Sequence, residues 1–126
     1  MSPGEIRELC RAVGYPLRDG AFEVPTYGDR SQKLRVGDVV DGVLRIVTTV
    51  VRPARAREAE LSHLACWERN RLSELVGLRM GSRGEVLAEV WVPVAGLTPE
   101  LFKVYIEQLA LTGDRLEHQL SGEDEN

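Results

Sequence analysis

Apolar residues recur along this chain in two rhythms, and the rhythms divide it into elements. Ile6, Leu9, Cys10 and Val13 follow the i, i+3, i+4, i+7 spacing of one helix face. Ser2-Pro3-Gly4-Glu5 ahead of them is a capping box with proline at the first helical position, and Gly14 is a natural stop. A helix is therefore predicted over about residues 3–13. Residues 21–24 read as a short strand, halted by Pro25 and the Tyr27-Gly28-Asp29 turn. Residues 33–40 and 43–51 read as two more strands, joined through Asp41-Gly42, a dipeptide suited to a tight hairpin turn. The second of them carries Val, Ile or Thr at nearly every position. Such a strand is apolar on both faces and belongs in the middle of a sheet.

Residues 54–70 read as a helix with two apolar stripes. At about 100° per residue, Ala56, Ala59, His63, Cys66 and Trp67 fall on one side, and Ala54, Leu61, Leu64 and Ala65 on the other. A surface helix needs one such stripe. Two imply a helix held between its own domain and a second surface, and the simplest second surface is another copy of the chain. Leu61, Leu64, Ala65 and Glu68 are the candidate dimer contacts, and the pattern leaves open which stripe faces the second copy. Residues 71–81 fit either an extension of this helix or a strand. Ser82-Arg83-Gly84 favours the strand, because it is turn chemistry followed by a clear strand in which Val86, Ala88, Val90 and Val92 alternate with Glu85, Leu87, Glu89 and Trp91.

Thr98-Pro99-Glu100 opens the last helix, with threonine as N-cap. Leu101, Phe102, Tyr105, Ile106, Leu109, Leu116 and Leu120 fill one broad face, and Lys103, Glu107, Asp114 and His118 the opposite one. Gly113 falls within the apolar face, where close packing explains it. The order is α-β-β-β-α-β-β-α, an α+β domain with an antiparallel five-stranded sheet over residues 1–120. Residues 121–126 are polar and acidic and read as a disordered tail.

Composition narrows the class. With 43% hydrophobic and 29% charged residues, the 126-residue chain is neither disordered nor collagen-like, and its length supports one core. No apolar run approaches the roughly 18 residues of a membrane span. The first residues lack a basic stretch leading into an apolar one, so no signal peptide is expected and the location expected is cytoplasmic. Cys10 and Cys66 accordingly read as reduced thiols. The net charge of -4 is unevenly spread. Residues 52–83 hold 7 arginines against 4 glutamates, whereas residues 84–126 hold 2 basic against 9 acidic residues. Arg52, Arg55, Arg57, Arg69, Arg71, Arg79 and Arg83 form a candidate basic patch. Interleaved glutamates and the acidic whole favour an ordinary solvated face over direct nucleic-acid binding.

The sequence carries little recognisable chemistry. His63 and Cys66 are three residues apart on the second helix, but a structural zinc site wants four ligands and nothing supplies the rest. Cys66 lies on an apolar stripe, where burial is its expected role. No nucleophile elbow, Walker A or dinucleotide-binding motif occurs. No enzyme activity, cofactor or metal is expected.

The carrying residues of a resemblance are Trp67-Glu68-Arg69-Asn70, the Ser82-Arg83-Gly84-Glu85 turn, the strand Val86-Leu87-Ala88-Glu89-Val90, and Gly96-Leu97-Thr98-Pro99-Glu100-Leu101 leading into a long final helix. In these and in its element order the chain resembles the YbjN family of bacterial proteins, within the type III secretion chaperone-like superfamily. The resemblance covers roughly residues 33–120 and is structural in kind. It implies a non-enzymatic protein that dimerises and binds other proteins, chaperone-like or regulatory in stress or sensory responses. Trp67, Leu87 and Trp91 are then the candidate contacts for a client or regulatory partner, although Trp91 equally suits a role in covering the sheet. The alternative is an accessory protein of nucleic-acid metabolism that binds DNA or a DNA-bound partner.

Overall fold

The computed structural model describes residues 1–58, 66 and 75–121. Its first helix, α1 (Pro3–Ala12), starts at the expected capping box: the Glu5 amide donates to Ser2 Oγ at 3.2 Å, and the Ser2 amide donates to the Glu5 carboxylate at 3.0 Å. Strands β1 (Ala21–Pro25), β2 (Ser31–Val40) and β3 (Val43–Val51) follow as an antiparallel meander. Asp41 and Gly42 both adopt positive φ, 52° and 74°, the paired conformation that only such residues tolerate and that matches the twist of a hairpin. A short helix α2 (Pro53–Glu58) begins at Pro53, and Cys66 is also helical and buried. The hairpin of β4 (Gly77–Met80) and β5 (Val86–Pro93) precedes the long helix α3 (Pro99–Ser121).

The sheet order is β1-β2-β3-β5-β4, antiparallel throughout. β3 is central, as its apolar character requires. One face of the sheet, with Leu34, Leu44, Ile46, Val50, Val90 and Val92, packs against Phe102, Ile106, Leu109 and Ala110 of α3, and Ile6 and Cys10 of α1 join the same cluster. The fold is α+β, a five-stranded antiparallel sheet flanked by helices. Strand 71–81 of the sequence reading is realised as Gly77–Met80 in its described part. Most of the two-striped helix, including Leu61, His63, Leu64, Ala65, Trp67, Glu68, Arg69 and Arg71, lies outside the described residues.

Two side chains of α3 depart from the sequence reading. Asp114, expected on the solvated face, is 1% exposed, because Arg30 from the β1–β2 turn reaches it at 2.8 Å and supplies the countercharge that burial demands. Leu101, expected on the core face, is largely exposed. It lies about 100° from Phe102, at the rim of the stripe.

Candidate partner-binding face and cationic cleft

Side chains alternate across a strand, so the sheet has a second face turned away from α3. Register places Arg45 opposite Trp91 and Val43 opposite Pro93 between β3 and β5, and Val40 opposite Val43 between β2 and β3. These five residues share that second face. Trp91 is 59% exposed and Val40 63% exposed, so an apolar strip crosses three strands in solvent. Next along the face, Glu89 is buried beneath two guanidinium groups, Arg79 Nε at 3.0 Å and Arg45 Nε at 3.6 Å. Arg35 Nη2 donates to Thr49 Oγ1 at 3.3 Å on the same face. Trp91 thus lies open to solvent. Leu87 does not: it is 7% exposed, and its role as a partner contact is corrected to that of a packed residue.

At the end of the sheet away from Trp91, the β2–β3 ladder stops early. Its pairing begins at Arg35↔Val47, although β2 is paired with β1 back to Ser31. Side chains take over where the ladder ends. Thr48 Oγ1 donates to the Lys33 carbonyl at 2.7 Å, and Gln32 Nε2 donates to Thr48 Oγ1 at 2.8 Å. Both side chains are buried. Around this parting of the strands opens a cleft of about 880 Å³, lined by Lys33, Arg35, Arg52 and Arg83 together with Glu23, Glu85 and Glu117. Among the described residues none of the four cations is in an ion pair. Glu23 accepts from Ser31 Oγ at 2.9 Å, Glu85 accepts from the Arg83 amide at 3.1 Å, and Glu117 is engaged in a contact of its own.

Above the cleft, Asp114, Glu117 and His118 bring ligand-bearing atoms within 4.8 Å of one another on one stretch of α3. The Arg30 guanidinium already holds Asp114, which puts a positive charge against the position a cation would take. Elsewhere, burial pushes the Cys10 thiol up to about 11, far from the low value of a nucleophilic cysteine. Cys10 and Cys66 are both buried and are not joined in a disulfide.

Of the seven arginines in the sequence-derived patch, Arg52 and Arg83 meet at the cleft, Arg79 lies on the face with Trp91, and Arg55 and Arg57 sit exposed on α2. Lys33, Arg35 and Arg45 lie outside that patch in sequence and join the cleft or the Trp91 face only in the fold. Their signal is their spacing: Lys33 and Arg35 are two apart, so a strand sends both to one face.

No protein-family model matches the sequence, and no curated protein matches it. The structure is similar to the crystal structure of YbjN from E. coli, a candidate transcription regulator, with a TM-score of 0.55 at 16% identity, covering 99% of this chain and 92% of that one. The likeness is one of fold over the full chain.

Proposed function

We propose that this chain is a non-enzymatic protein-binding module, chaperone-like or regulatory, which acts as a homodimer and holds its partner on the sheet face that carries Trp91. The observation behind this reading is the exposed Trp91–Val40 strip. A tryptophan left this open beside further apolar residues serves the core little and is the side chain most enriched at binding hot spots. The similarity to a candidate regulator supports a regulatory role through the fold. The expected dimer contacts remain Leu61, Leu64, Ala65 and Glu68 on the two-striped helix.

A second reading has its own support. Lys33, Arg35, Arg45 and Arg79 accompany an exposed aromatic on one sheet face, a combination that also suits single-stranded nucleic acid. Against it stand the net charge of -4 and the carboxylates among the cations.

The test uses affinity capture from native lysate with mass spectrometry, comparing the wild type with Trp91→Ala. Because Trp91 is exposed, the variant is expected to keep its stability within about 0.5 kcal/mol while losing the captured partner. Retention of the same partner at equal yield would overturn the assigned face. Light scattering at micromolar concentration should give twice the chain mass, and Leu64→Asp should reduce it where Lys103→Glu does not. A monomer would remove the dimer from the reading.

A further inference from the structure

We infer that the cleft between β2 and β3 is a binding site for an acidic, extended polypeptide segment. The inference rests on the protein-binding reading and names the chemistry of the partner. Four cations from three places in the chain converge on the cleft: Lys33 and Arg35 from β2, Arg52 from the end of β3, and Arg83 from the β4–β5 turn. None of them is in an ion pair among the described residues. Like charges gathered without partners repel one another, and an anionic ligand relieves that repulsion. The carboxylates of Glu23, Glu85 and Glu117 at the rim offset part of that charge, three against four, and the positive charge left over favours an acidic ligand that sets its anionic groups against the cations.

The shape of the site favours polypeptide over nucleic acid. The cleft lies where two neighbouring strands part, and the buried Gln32–Thr48 hydrogen bond spans the opening in place of ladder bonds. An extended chain follows that line. A polynucleotide carries a charge at every phosphate and must pass the Glu23, Glu85 and Glu117 carboxylates, whereas a peptide can present neutral residues to them. Continuity adds to the argument. Arg35, in the cleft, and Arg45, opposite Trp91, share the sheet face, so a segment lying in the cleft leads toward the apolar strip.

The experiment measures fluorescence anisotropy of a labelled peptide of alternating glutamate and glycine, its glutamine counterpart, and an oligodeoxythymidylate of equal charge, each titrated with the full chain. The glutamate peptide should bind at least about tenfold more tightly than the glutamine one, a difference of about 1.4 kcal/mol, and should weaken as salt rises. Arg35→Glu with Arg52→Glu should abolish that preference, and Lys103→Glu, on the exposed side of α3, should leave it intact. Arg35→Gln with Arg52→Gln serves as the second variant should the charge reversals fail to fold, as judged by circular dichroism. Equal affinity for the two peptides, or displacement of the glutamate peptide by the oligonucleotide at equal concentration, would overturn the inference. Those outcomes leave the Trp91 capture result standing, so failure of the cleft and failure of the protein-binding reading are told apart.

Discussion

Gly113 sits where α3 crosses β3, and a Cβ built on it would lie 2.8 Å from Thr48 Cγ2. An alanine there gains about 1 kcal/mol of helix propensity but must push Thr48, whose hydroxyl is fixed to the Lys33 carbonyl. Overpacking of this kind costs about 1–3 kcal/mol. Gly113→Ala is therefore expected to be neutral to destabilising by up to about 2 kcal/mol, the difference between those two effects. In a Thr48→Ser background, which removes Cγ2 and keeps the hydroxyl, the same change should become stabilising. Urea denaturation of the four variants measures the coupling, and strict additivity would refute the contact. A glycine in the middle of an apolar helical face was visible in the sequence and pointed to close packing. Its neighbour was not visible, because the threonine lies 65 positions earlier in the chain.

At the scale of elements, α3 is tied to the β1–β2 turn by Arg30 and Asp114, with His118 Nε2 at 3.7 Å from the other Asp114 oxygen. The Arg30 side chain is 39% exposed and that of Asp114 2%, so the bond is charge-assisted at one buried end. Hydrogen bonds to charged groups contribute about 1.5–3 kcal/mol, and Asp114→Ala should lower stability by about that much. Glu107→Ala, which removes the acceptor of the Tyr15 hydroxyl at 2.7 Å in a more open place, should cost about 1 kcal/mol or less. Equal losses in chemical denaturation would argue against the Arg30 latch. Helical spacing assigned Asp114 to the wrong environment for a plain reason. Periodicity describes an isolated helix, and the arginine that makes burial tolerable comes from another element.

For the molecule as a whole, stability should fall at alkaline pH. Burial raises the Cys10 thiol from 9.0 to about 11. The Tyr15 hydroxyl is raised from 10.0 to about 12, first by burial and then by the Glu107 carboxylate that accepts its hydrogen bond. Both groups hold more protons folded than unfolded in those intervals, so their contribution is complete below about pH 9 and declines as pH rises through the folded values. Denaturation midpoints should drop between about pH 9 and 11, and Cys10→Ala should flatten the first part of that decline; an unchanged slope would remove Cys10 from the account. The local grammar of the sequence determined the capped first helix, the Asp41-Gly42 hairpin, the doubly apolar central strand and the Thr98-Pro99 helix start. Each of these rests on interactions within a few residues. Only the tertiary structure decided that β5 lies between β3 and β4, and with it that Arg45, Arg79 and Glu89 meet beside Trp91. It likewise decided that Lys33, Arg35, Arg52 and Arg83 converge on one cleft. Neighbours across a sheet are set by strand order and register, which depend on how the whole core packs, and no stretch of sequence carries that information locally.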